Sequence, residues 1–183
     1  PADRHGTGAV SNSDLASRID ARCRLTGEFV LRSGQVANEY FDKYRFEGDP
    51  VLLRQVAKAM VALLPEDAEI LAGLELGGVP IATAMSLECG LPAVFVRKEA
   101  KAYGTCLAVE GGDVDGRKVV LVEDVITTGG AVADGAGLVE QAGAQVIGVV
   151  CAIWRGEGDP AIAKRLDLPV RAALTKDELD HCA

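Results

Sequence analysis

Apolar residues follow two rhythms along this chain, helical spacing in some stretches and short unbroken runs in others, and together they mark out its elements. Leu15, Ile19 and Cys23 recur at helical spacing behind Ser13, a residue suited to cap, and predict a helix over about 14–25. Residues 27–34, Gly-Glu-Phe-Val-Leu-Arg-Ser-Gly, are punctuated by glycine and predict a short strand and a turn. Residues 38–46 concentrate the aromatic side chains. Asp49-Pro50 predicts a helix start with proline at its first position, the helix reaching about 64 and stopping at Pro65. A short strand is expected over 70–74, then a tight turn at Gly77-Gly78 and a helix through about 88, then a buried strand over 92–96. Residues 97–112 lack apolar periodicity and are charged, which predicts a long loop. A strong buried strand follows over 118–122, a Gly-rich turn, and a helix over 130–141 that Gly143 ends. Residues 146–153 predict another buried strand, Asp159-Pro160 a short helix, and 170–174 a last strand, with Thr175 capping a terminal helical turn. Strands alternating with helices predict an α/β fold, a central, mainly parallel sheet with helices on both faces. Without a repeat or an interdomain linker, residues 13–183 are expected to form one domain behind a polar, flexible leader over 1–12.

Composition narrows the class. At 183 residues, 49% hydrophobic and only 4% aromatic, the chain can bury one full core, and its mix suits helices on Val-rich strands better than an antiparallel sandwich. A net charge of −8 argues against a broad nucleic-acid face, which needs an excess of Lys and Arg. No apolar run reaches the roughly 18 residues of a membrane span, and residues 1–12 lack the apolar core of a signal peptide. The five cysteines form no CxxC, which suggests neither a zinc site nor a disulfide framework, and points to the reducing cytoplasm. The expected partners are therefore small molecules, with no nucleic acid and no membrane.

The most informative stretch is Val119-Val-Leu-Val-Glu-Asp-Val-Ile-Thr-Thr-Gly-Gly-Ala131: a buried strand, two acids, a turn and a helix start. Ligands of such sheets bind beyond the carboxyl ends of the strands. Backbone N–H groups over Thr127, Thr128, Gly129, Gly130 and Ala131, at a helix N-terminus, favour a phosphate, and glycine lets it come close. Glu123 and Asp124 would repel a phosphate placed on them, but suit hydrogen bonds from sugar hydroxyls or a position near a divalent cation. Hydroxyl and phosphate sites one sugar apart describe a ribose 5-phosphate; a plain strand-turn-helix with solvated acids is the alternative. This turn is not a Walker loop, since no Gly-Lys-Ser/Thr follows. A second stretch, Arg97-Lys-Glu-Ala-Lys-Ala-Tyr-Gly-Thr105, places Arg97, Lys98 and Lys101 in a positive patch of an acidic chain. Alone it would be a solvated face. Where a strand opens into a long loop, it suits a lid of cations closing over a leaving pyrophosphate.

The first stretch resembles the phosphoribosyl-pyrophosphate-binding motif of type I phosphoribosyltransferases, and the second resembles the catalytic loop of orotate phosphoribosyltransferases, Arg-Lys-Glu-Ala-Lys. The resemblance runs over about 15–179. It implies the type I phosphoribosyltransferase fold, with a core over about 49–174 and a small N-terminal hood over about 13–48 with C-terminal contributions. It implies transfer of ribose 5-phosphate from phosphoribosyl pyrophosphate (PRPP) to orotate, giving orotidine 5′-monophosphate and pyrophosphate. Magnesium (Mg2+) is then held mainly by PRPP near Asp124, with no protein ligand assigned. By the same resemblance Lys101 is the chief catalytic cation, acting with Asp124 and Glu123. Arg97, Lys98 and Tyr103 join Glu123, Asp124 and residues 127–131 on PRPP. Arg32, Tyr40, Phe41, Thr127 and Arg155 hold orotate, an anion whose carboxylate a guanidinium matches. The implied assembly is a homodimer whose loop around Lys101 reaches the neighbour's sugar site.

Three places, four residues in all, depart from the family pattern. Tyr103 stands where histidine is common and stays neutral near pH 7. Arg32 stands where lysine is usual and adds a planar fork. Leu76-Gly77 stands where some members have Tyr-Lys, leaving that turn to its backbone amides. The hood residues Arg32, Asn38 and Glu39 leave open a paralogue acting on another base. A non-catalytic PRPP-sensing regulator is the third reading; the retained Lys101 and the lack of a basic extension weigh against it.

Overall fold

The computed structural model describes residues 12–31, 33–98, 107–156 and 168–181. In chain order these form α1 (Asn12–Cys23), β1 (Arg24–Val30), β2 (Val36–Phe41), α2 (Tyr44–Glu47), α3 (Pro50–Val61), β3 (Ile70–Leu74), α4 (Gly78–Cys89) and β4 (Ala93–Val96). There follow β5 (Val109–Glu110), β6 (Lys118–Ile126), α5 (Gly130–Gln141), β7 (Gln145–Trp154), β8 (Val170–Thr175) and α6 (Lys176–Asp180). None of these helices is long and apolar enough to cross a membrane.

A six-stranded sheet runs in the order β5-β4-β3-β6-β7-β8. Every pair is parallel except β4–β5. The continuous Val, Leu and Ile runs follow from burial on both faces. On β6, Val120 and Val122 pack with Ala57, Met60, Ile81 and Met85 of α3 and α4, while Val119 and Leu121 pack with Val132 and Val139 of α5. A strand's period of two thus sorts one apolar run into two core layers. Chain order runs outward from β3 to β4 on one side and from β6 to β7 on the other, so β3 and β6 flank the switch point where such sheets bind ligands.

Local chemistry fixes the helix ends nearest this point. Asp49 caps α3, its side chain accepting from the backbone N–H of Val51 (3.0 Å) and Leu52 (3.2 Å), with Pro50 at the first position. Gly129 adopts φ 77° immediately before α5, a conformation that favours glycine. Thr175 caps α6, as the sequence suggested, and Glu178 completes a reciprocal capping box with it. A separate antiparallel ribbon, β1–β2, carries Tyr40 and Phe41. Arg24 ties that ribbon to its surroundings, pairing with Asp20 of α1 (2.8 Å), Glu39 of β2 (3.2 Å) and Asp180 of α6 (2.8 Å).

The structure differs from the sequence expectations at several points, among them β2 and α2, which the aromatic stretch 38–46 did not announce as elements. β6 continues through Ile126, so Glu123 and Asp124 lie within the strand rather than past its end, because β7 keeps pairing as far as Trp154. The stretch 97–112 contains β5, whose two residues pair with Phe95 and Val96. α1 starts at Asn12, with Ser13 inside it, and ends at Cys23, where β1 takes over. α3 ends at Val61, three residues before the expected 64. The expected helix at Asp159-Pro160 lies outside the described residues.

Candidate active site

Four polar side chains converge at the carboxyl end of β6. Glu123 and Asp124 come from the strand, and Lys43 and Glu47 from the two ends of α2. Asp124 is fully buried and Glu47 and Glu123 nearly so. Lys43 Nζ lies 2.5 Å from Asp124 Oδ2. The other Asp124 oxygen accepts from the backbone N–H of Val125, and Glu123 Oε1 accepts from that of Asp124 at 2.9 Å. Across the switch point, Gly77 leans on Asp124 so closely that a Cβ at 77 would overlap its carboxylate, and a Cβ at 78 would overlap the carbonyl of Val122. Glycine at both positions is the condition for bringing the turn after β3 onto the acid pair.

The charges in this cluster are mutually dependent. Burial, then hydrogen bonding to and the charge of Asp124, push Glu123 up to about 8. Burial and the charge of Asp124 likewise push Glu47 up to about 8. Burial also acts to raise Asp124, but hydrogen bonds from Glu123 and Lys43 outweigh it and hold Asp124 below its ordinary value. Near neutral pH the cluster therefore carries one firm anion, Asp124, against one cation, Lys43, with two carboxyls that retain protons. Cys151, buried beside the acids, is pushed up to about 12 by burial, so its thiol stays protonated and is no nucleophile.

Beyond β6, Thr127 and Thr128 are exposed and Gly129 turns the chain into α5, whose first residues Gly130 and Ala131 are exposed. This is the open helix N-terminus expected of a phosphate cradle. Arg97 and Lys98, at the end of β4, reach the same region. With Glu75, Gly130 and Ala131 they line a cavity of about 370 Å³, and the Lys98 N–H donates to Glu75 Oε2 at 3.0 Å. Lys101, Tyr103 and Arg32 lie outside the described residues.

Arg155 follows the last residue of β7, and its N–H donates to the carbonyl of Ile126 at 2.8 Å, which sets it next to the β6 motif. Its guanidinium lies 5.2 Å from the centroid of the Phe41 ring. Tyr40, Phe41 and Arg155 share a cavity of about 310 Å³ with Arg24, Lys176 and others. Tyr40 is turned toward Phe29, the ring centroids 5.6 Å apart. The structure thus joins Tyr40 and Phe41 to Arg155, and Arg97 and Lys98 to the α5 terminus. Sequence reasoning missed Lys43 and Glu47. They lie four residues apart, the spacing of neighbours on a helical turn, but nothing in that spacing points to Asp124.

A family model for the phosphoribosyl transferase domain matches residues 50–171. A curated orotate phosphoribosyltransferase from Nocardioides sp. is 59% identical over 169 residues, covering 92% of this chain and 94% of that protein. One from Halobacterium salinarum is 39% identical over 170 residues, covering 92% and 97%. Among solved structures, Mycobacterium tuberculosis orotate phosphoribosyltransferase in complex with PRPP superposes with a TM-score of 0.78 at 27% identity, covering 92% of this chain and 98% of that one. The enzyme from Aeropyrum pernix superposes with a TM-score of 0.77 at 29% identity, covering 91% and 96%.

Proposed function

The chain belongs to the phosphoribosyl transferase family, within it to the orotate phosphoribosyltransferases, and we propose that it transfers ribose 5-phosphate from PRPP to orotate, releasing pyrophosphate. The observation that carries the choice of base is Arg155. It is fixed to Ile126 of the β6 motif and stacked over Phe41, so a cation suited to the orotate carboxylate stands beside the sugar-binding strand. Orotate supplies its own ring nitrogen as nucleophile. The bond from that nitrogen to C1 of the ribose forms as the C1–O bond to pyrophosphate breaks, and the bonding pair leaves with pyrophosphate.

The roles of the chain are to position and to stabilise charge. Glu123 and Asp124 accept hydrogen bonds from the ribose hydroxyls. Residues 127–131 bind the 5-phosphate at the α5 N-terminus. Arg97 and Lys98, with Lys101 and Tyr103 of the following loop, face the pyrophosphate, and Lys101 closes over the leaving group. Arg32, Tyr40, Phe41, Thr127 and Arg155 hold the base. Among the described residues no group of three or more His, Cys, Asp or Glu side chains is arranged to hold a metal. The buried acid pair offers hard oxygens suited to a magnesium ion that arrives on PRPP, and no side chain is assigned as its direct ligand. Carried by PRPP to the neighbourhood of Asp124, magnesium would supply positive charge to offset that of the pyrophosphate. A homodimer with the Lys101 loop shared between sites, working in the cytoplasm, completes the proposal.

Arg155→Ala tests the base site. Calorimetry is expected to find orotate weakened by about 2–4 kcal/mol, the scale for breaking a buried charged pair, and PRPP nearly unchanged. Weakened PRPP with unchanged orotate would move Arg155 to the phosphate side.

A further inference from the structure

Lys43 is a cation in the centre of the sugar site that the roles above leave unused. It stands at the start of α2, half-buried, with its ammonium on Asp124 Oδ2 and 5.4 Å from the centroid of the Tyr44 ring. Burial removes water from Asp124 and opposes its charge; Glu123, its neighbour on β6, supports that charge with a hydrogen bond, and Glu47 faces it from α2 with Asp42 behind. The Cys151 thiol of β7, protonated and neutral, adjoins the pair. On the side of the turn after β3, Gly77 offers only backbone. Among the described residues, Lys43 is the cation paired with this carboxylate.

We propose that Lys43 is a positioning residue for PRPP, holding Asp124 ionised and aimed so that its oxygens receive the ribose hydroxyls. The geometry allows both contacts together. Each carboxylate oxygen has two acceptor directions. Oδ1 receives the Val125 N–H and Oδ2 faces Lys43, so an incoming sugar hydroxyl takes the direction that the Glu123 carboxyl uses in the ligand-free protein, not the one that Lys43 uses. Lys43 therefore stays in place when the sugar binds. Its effect belongs to sugar binding more than to the chemical step, and it reaches the substrate through Asp124 rather than by touching the pyrophosphate.

The inference rests on reading the acid pair as the sugar site, and ribose 5-phosphate, which lacks the pyrophosphate, separates the two. Wild type, Lys43→Met and Lys43→Arg are titrated with ribose 5-phosphate and with PRPP-magnesium, and assayed for turnover. Lys43→Met is expected to weaken both ligands by a similar factor, about 10-fold or more as for a lost charged hydrogen bond. The KM for PRPP should rise accordingly, kcat at saturation should stay within about 3-fold, and Lys43→Arg should restore most of the loss. In the ligand-free protein, carbon NMR should find the Asp124 carboxyl titrating at higher pH in Lys43→Met than in wild type. Should Lys43→Met fail to fold, Lys43→Gln takes its place. Four results would overturn the inference: unchanged ribose 5-phosphate binding, weakening of PRPP alone, tighter PRPP binding, or an unmoved Asp124 titration. A wild type that binds no ribose 5-phosphate would instead sink the sugar-site reading itself.

Discussion

Three carboxyls and one ammonium share the carboxyl end of β6, and burial settles which of them carries charge. Glu47, pushed by burial and Asp124 from an ordinary 4.5 to about 8, keeps in the folded chain a proton that the unfolded chain gives up at lower pH. Unfolding between those values releases that proton, so the folded state loses stability as pH rises through the window, and Glu123 acts in the same direction. The ligand-free protein is expected to melt at progressively lower temperature from pH 6 to pH 8, and Glu47→Gln, which needs no proton to stay neutral, to flatten that slope. Equal slopes in the two proteins would mean that Glu47 is already ionised at pH 6. At this scale the sequence was readable where a motif spans consecutive residues, as in Glu123-Asp124 with Thr127-Thr128-Gly129. It was unreadable for Lys43 and Glu47, because what makes them part of the site is a contact across some 80 positions that no local pattern encodes.

Elements bring these residues together through two turns, one after β3 and one after β6, at the point where the strand order reverses. Gly77 has ordinary helical dihedrals, φ −68° and ψ −28°, so alanine there meets no backbone objection, only the Asp124 carboxylate. Gly77→Ala is therefore expected to leave the fold intact, displace Asp124, and lower kcat/KM by about 10²-fold, as misplacement of a catalytic contact by about 1 Å does. Gly137→Ala, on α5 with open space around it, serves as the control and should be near neutral. Equal activity in the two variants would mean that the turn after β3 does not set the position of Asp124. The main strands and α3, α4 and α5 were legible from apolar runs, caps and glycines. β5 was not, because two residues joined to β4 by a single edge pairing leave no period to detect. The full length of β6 was hidden as well, since the pairing with β7 carries two acids that break its apolar run.

The described residues present Asp124 and the α5 terminus from one body, while the cation expected to act on the leaving group, Lys101, is proposed to serve the partner subunit. If it does, Lys101→Ala and Asp124→Asn homodimers are each nearly inactive, and refolding them together pairs the two defects in one site of each heterodimer and frees the other. Random mixing forms about half heterodimers, so activity should return to roughly a quarter of wild type; no recovery would mean that each loop serves its own subunit. The proposed choice of substrate rests on the adjacency of Arg155, Phe41 and the β6 motif, and is tested most directly by supplying PRPP and magnesium with orotate, uracil, adenine, guanine or hypoxanthine in turn. Pyrophosphate release with orotate, matched by orotidine 5′-monophosphate and exceeding release with each of the other bases, is the expected result. Release that is faster with any of the four other bases than with orotate, or absent with all five, would contradict it.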